Sequence, residues 1–203
     1  MIRNNVQNFN AHSTASNKPE NPAAGVYVGK VIGARVEDTP WGGQRLIMAL
    51  DITEGDYAGR YQEIFDWEKK NSNFQPKWKG TFRQNIPTGD GSEKDGWTQR
   101  SLEGIVWALE QSNPGYHWDW DENKLKGLRV GINVRNKEWE YNDMTGWTTE
   151  IARLESIDEI RAGNVKVAKD KPLKNSSQGT VATSAADAAA GFTGVETDEL
   201  PFD

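Results

Sequence analysis

The chain has 203 residues, of which 35% are hydrophobic, and a net charge of −6. That is room for one compact domain with extensions. The absence of cysteine excludes disulfides, a thiol nucleophile and a thiolate metal site, and with only His12 and His117 a zinc cluster is close to excluded. No apolar run of about 18 residues is present, and the N-terminal MIRNNVQNFNAHSTASN has no apolar stretch. Neither a membrane span nor a signal peptide is therefore expected, and the default address is the cytoplasm.

Residues 1–22 are polar, rich in Asn and Ser, and read as a flexible N-terminal arm. GVYVGKVIGARVED (25–38) alternates with Val26, Val28, Lys30, Ile32, Ala34 and Val36 on one parity, and predicts a first strand that Gly29 and Gly33 bend. DTPWGG (38–43) is a turn, QRLIMALDITEG (44–55) a second strand, GDYAGR (55–60) a second turn and YQEIFDW (61–67) a third strand. Residues 69–96 read as a long irregular or partly helical segment. In 95–115, Leu102, Ile105, Val106 and Leu109 recur at helical spacing and NPG stops the run. YHWDWDENK (116–124) is an aromatic-acidic loop, and two strands, 128–141 and 145–157, follow as a hairpin. Beyond Gly163 the periodicity fades, so 164–195 reads as a disordered linker, low in complexity from 175, that ends in an acidic tip at 196–203.

Three strands, a helix and two strands is the order of an OB-fold, a five-stranded, partly open barrel. The expected class is therefore mainly β, an OB-like barrel over 23–163 with one helix; an antiparallel β-sandwich with a packed helix is the alternative.

No phosphate-loop, GxSxG or HExxH motif is present, so no enzyme and no cofactor are expected, and Asp119, Asp121 and Glu122 read as a solvated loop. The nine tryptophans are the more specific signal. Residues 69–89 hold Lys69, Lys70, Lys77, Lys79 and Arg83 without an acid, interleaved with Phe74, Trp78 and Phe82 at four-residue intervals, one face if the segment is helical. A second acid-free stretch, 124–137, holds Lys124, Lys126, Arg129, Arg135 and Lys137. Within its strand, Val130, Ile132 and Val134 alternate with Arg129, Gly131, Asn133 and Arg135, giving an apolar and a basic face, and Lys137, Trp139 and Tyr141 continue the basic parity. Cations track phosphates while rings stack on unpaired bases, so these residues predict a surface for single-stranded nucleic acid with little sequence preference. The stacking candidates are Trp78, Trp139, Tyr141, Trp147, Phe74 and Trp41. The phosphate candidates are Lys69, Lys70, Lys77, Lys79, Arg83, Arg129, Arg135 and Lys137. Aromatic platforms also bind sugars, so a carbohydrate- or protein-binding module remains the competing class, and a strand-annealing mediator shares the same surface.

The OB-like order, the Gly/Ala/Ser/Thr linker and the terminal TDELPFD together resemble single-stranded-DNA-binding proteins of the bacterial and bacteriophage kind. The long insertion at 69–96 brings the body nearer the divergent OB proteins that phages encode. The resemblance implies a protein that protects single strands in DNA replication, recombination and repair, in the host cytoplasm if phage-encoded, with homo-oligomers within its range. It also implies an acidic tip that docks on partner proteins of those processes. Asp198 and Glu199 would supply the charge, and Leu200, Pro201 and Phe202 the inserted wedge. The tip departs from the family in one respect: Asp203 follows the phenylalanine, so a terminal Phe carboxylate is not available.

Overall fold

A computed structural model describes residues 18–40, 42–142 and 144–173. Trp41 and the acidic tip, Asp198, Glu199, Leu200, Pro201, Phe202 and Asp203, lie outside the described residues.

Strand β1 (Gly25–Asp38) runs the length expected of it, but its two halves turn opposite parities to the core. Tyr27 and Val31 pack inward before the register shift between Val31 and Gly33, and Ala34 and Val36 do so after it. A β-bulge inserts one residue and so exchanges the two faces. The single even parity of Val26 to Val36 therefore holds only beyond the bulge. The bent strand serves two neighbours, β2 (Gln44–Ile52) through residues 29–38 and β4 (Arg129–Tyr141) through residues 25–30.

The segment 61–67 is helical, not a strand: α1 spans Arg60–Asn71 and buries Tyr61, Ile64 and Glu68. Tyr61, Ile64 and Phe65 satisfy the i, i+3, i+4 pattern at least as well as an alternating one, and the buried Glu68 continues it at i+7. The buried carboxylate of Asp51 settles the choice, because it accepts hydrogen bonds from the Ile52 amide at 2.9 Å and from the Tyr61 amide in the first turn of α1 at 3.1 Å. The third strand, β3 (Thr81–Ile86), lies inside the stretch expected to be irregular. Helix α2 (Glu93–Ser112) starts at an N-cap, Ser92, whose hydroxyl accepts from the Asp95 amide at 3.1 Å, and it buries Leu102, Ile105, Ala108 and Leu109. A 3-10 turn (Glu122–Leu125), β4, β5 (Met144–Glu155) and the short α3 (Ile157–Arg161) complete the order. The described residues thus hold α1 and α3 besides the single helix expected.

One antiparallel sheet results, in the order β3-β2-β1-β4-β5. The strands at its two ends, β3 and β5, come into contact without a pairing between them among the described residues. This is the strand order of an OB-like barrel that stays partly open, rather than two stacked sheets. Its inside is filled by Leu46, Met48, Leu50, Phe82, Val130, Ile132, Val134 and Ile151, with Ile105 and Leu109 of α2 against them.

The sheet's opposite face is partly covered by α3. A Cβ placed on Gly131 would fall 2.3 Å from Ile160 Cδ1 and 2.7 Å from the Glu155 carbonyl, so only glycine admits this approach. The chain does not become a linker at 164. Asn133, fully buried on the same parity as Gly131, donates from Nδ2 to the Lys166 carbonyl at 3.0 Å and to Glu155 at 3.1 Å, and accepts from the Ala168 amide at 2.9 Å. Residues 164–173 are thereby strapped along β4, and the part of the expected linker beyond Leu173 lies outside the described residues.

Candidate nucleic-acid interface

β1 pairs with β4 only as far as Val134, and beyond that point β4 and β5 continue as a two-stranded arm. The arm keeps one register from Arg135↔Glu150 to Tyr141↔Met144. Directly opposed residues share a face. Arg135, Lys137, Trp139 and Tyr141 therefore form one row with Glu150, Thr148, Gly146 and Met144 beside them. Trp139 is 38% exposed and Tyr141 44%, and Met144 beside them is exposed as well. The indole lies flat over its partner: a Cβ on Gly146 would stand 2.7 Å from Trp139 Cζ2. A larger residue there would lift the ring. Trp147, 54% exposed, is opposed to Glu138 and so belongs to the arm's other face, apart from Trp139 and Tyr141.

The cations of the row converge on one carboxylate. Arg135 donates to Glu150 Oε1 from Nε at 2.9 Å and from Nη2 at 2.6 Å, and the ammonium groups of Lys137 and Lys171 stand 3.4 Å and 3.7 Å from Glu150 oxygens. Burial works against ionisation of Glu150, but the Arg135 hydrogen bonds and the charges of Lys171 and Lys137 outweigh it and hold the carboxyl below its ordinary value of 4.5. Lys171 is a residue that sequence reasoning missed. It sits in a stretch with no periodicity, and only its pairing with β4 brings it here.

A second basic and aromatic surface surrounds the C-terminal end of α1. Lys69 and Lys70 lie exposed in its last turn, and the loop that follows carries Phe74, 83% exposed, with Lys77 and Lys79. An open groove of about 580 Å³ runs between Trp67, Phe74, Lys77, Lys79 and Lys18. Glu68, nearly buried at its floor, pairs with Lys18 at 3.0 Å and Lys79 at 3.4 Å. Burial again opposes its ionisation, and Lys18 and Lys79 reverse the balance, so its carboxyl too is held below the ordinary range.

The helical face expected of Phe74, Trp78 and Phe82 does not form, because the first two lie in a loop and the third in β3. Trp78 is a packing residue. It donates from Nε1 to the Leu50 carbonyl at 2.9 Å, packs at a tilt 5.7 Å from Phe65 and lies, partly buried, against the core. Phe82 is in the core itself, while Arg83 beside it is exposed. Arg129 belongs to the opposite end of β4, where it and Arg161 share Glu54.

The loop 116–124 folds over a third feature. Trp118 and Trp120, ring centroids 6.0 Å apart, line a cleft of about 320 Å³ with Val36, Leu46, Ile86 and Leu102. Trp120 takes a left-handed backbone (φ 67°), a costly conformation for an aromatic residue. Asp119 is paired with Lys124, and Asp121 accepts from the Asn123 amide at 3.1 Å, so these acids hold the loop's own shape. Among the described residues no group of three or more His, Asp or Glu side chains could hold a metal ion, and no helix is long and apolar enough to cross a membrane. No protein-family model matches the chain, and no curated protein matches it.

Proposed function

We propose that this chain binds single-stranded DNA, without strong sequence preference, on the arm formed by β4 and β5. The observation that carries the reading is the row Arg135, Lys137, Trp139 and Tyr141 on one face of an arm that projects from a barrel of OB-like order. Residues two apart on a strand repeat about every 6.8 Å. Two exposed rings and two cations at that interval suit an extended strand whose bases stack while its phosphates meet the cations. Phe74 with Lys69, Lys70, Lys77 and Lys79 offers the same chemistry beside α1 and extends the surface. Trp147 would serve a strand passing the arm's other face.

In this reading the protein is not an enzyme. It coats and protects exposed strands in replication, recombination or repair, in the cytoplasm of a bacterial host, in the manner of the phage-encoded proteins it resembles. Its acidic tip, Asp198 to Asp203, recruits partner proteins of those processes by offering an apolar wedge flanked by charge. Fluorescence anisotropy of labelled oligo-dT with the full chain tests the proposal. Saturable binding that unlabelled oligo-dT displaces and neutral oligosaccharides do not is expected. No binding at low salt, or displacement by the sugars, would overturn it.

A further inference from the structure

The basic row of the arm ends, by sequence, at Lys137. In three dimensions it acquires a third cation from a different part of the chain. Lys171 forms a parallel bridge with Lys137: its amide donates to the Asn136 carbonyl at 2.9 Å, and its carbonyl accepts from the Glu138 amide at 2.9 Å. Bridge partners share a face, so the Lys171 side chain is delivered by main-chain bonds to the face of Arg135 and Lys137. The strap that holds it is anchored on both sides. Asn133 grips Lys166 and Ala168 before it, Asn136 donates to Asp170 at 3.0 Å, and the Leu173 amide donates to Glu138 Oε2 at 3.0 Å after it.

We infer that the strap delivers Lys171, rather than its whole length, to the DNA-binding face, and that Arg135, Lys137 and Lys171 together form a phosphodiester site in which Glu150 is the resident counter-ion. This deepens the single-stranded-DNA reading and rests on it. The charge count favours an anion: even with Lys137 set aside, Arg135 and Lys171 outnumber the one carboxylate they share. Of the other acids nearby, Glu138 and Asp170 accept from the Leu173 amide and from Asn136, Glu155 is paired with Arg153, and Glu140 belongs to the arm's other face. Arg135 spends its Nε and one Nη2 N–H on a single Glu150 oxygen, which leaves the Nη1 edge of its planar fork to meet a phosphate oxygen. A phosphate entering beside Glu150 is met by cations from two separate segments, and Trp139 follows Lys137 by two residues on the same face, about 6.8 Å along the strand. One nucleotide can thus place its base on the ring and its phosphate in the cluster. The strap thereby couples the last of the described residues to the binding face.

The experiment compares full chains carrying K171A, K171R and K166A with the wild type, each titrated with labelled oligo-dT at several salt concentrations and each checked for its melting temperature. Lys166 lies on the same strap, exposed, and pairs with no acid among the described residues, so K166A controls for the loss of one charge. K171A should bind more weakly and lower the slope of log affinity against log salt by about 0.7, the value of one phosphate contact. K171R should keep the wild-type slope, and K166A should leave it unchanged. Equal effects of K171A and K166A, or a K171A chain that differs from wild type only in melting temperature, would show a structural ion pair and overturn the inference. Wild-type chain that does not bind oligo-dT at all would overturn the single-stranded-DNA reading and this site with it.

Discussion

Trp78 and Trp139 each lie within two residues of a lysine in the sequence, yet one ring is tucked against the core with its N–H satisfied by Leu50 and the other lies over Gly146 in contact with solvent. Substitution separates them. Trp78→Ala should cost about 3 kcal/mol of stability, read by denaturant unfolding, through lost packing and an orphaned carbonyl. Trp139→Ala and Tyr141→Ala should leave the unfolding midpoint nearly unchanged but weaken oligo-dT binding by about 1–3 kcal/mol each, roughly 5- to 150-fold. A Trp139→Ala chain that unfolds early yet binds normally would reverse the assignment. Glu150 gives a second residue-scale prediction, in stability against pH. Its folded-state value is depressed below 4.5, so the stability it contributes is fully present above that value and is lost as the pH falls through the folded-state one. Glu150→Gln lacks this titration. Its stability should therefore fall less steeply than that of the wild type below about pH 4.5, and equal slopes in acid unfolding curves would contradict the cluster.

The elements divide into those that local pattern dictates and those that tertiary contacts decide. β1, the helix 93–112 and the β4–β5 hairpin were legible within a few residues, because each carries enough alternating or helical repeats to exclude the other period. The segment 61–67 was not, because seven residues fit both periods and the deciding group, Asp51, is ten residues away from Tyr61. β3 was missed because its six residues, TFRQNI, include only two apolar side chains, and what makes them a strand is the edge of β2. Of the candidate site, Arg135, Lys137, Trp139 and Tyr141 were legible because strand parity is local. The separation of Trp147 from them depends on the hairpin register, and Lys171 on a pairing across more than thirty residues. The strap itself makes a prediction at this scale. Asn133→Ala removes two of the hydrogen bonds that hold it, those with the Lys166 carbonyl and the Ala168 amide, so hydrogen exchange at the Ala168 and Lys171 amides should accelerate at least about tenfold while those of Ile132 and Val134 stay protected. Uniform acceleration throughout β4 would instead mean that the strap and the sheet open as one unit.

For the whole molecule, the partly open barrel fixes the arm, the arm carries the rings, and the strap adds a cation from the end of the described body. A net charge of −6 does not oppose this arrangement, since half of it falls in residues 171–203 and leaves the rest of the chain nearly neutral. Exposed tryptophan beside clustered cations makes the molecule its own reporter. The most direct measurement is a titration of the full chain with oligo-dT and with the matching duplex, followed by intrinsic fluorescence at several salt concentrations. The account predicts quenching by the single strand alone, with log affinity falling by about 0.7 per phosphate contact for each log unit of salt. Equal binding of duplex, or no quenching and no binding at low salt, would contradict it.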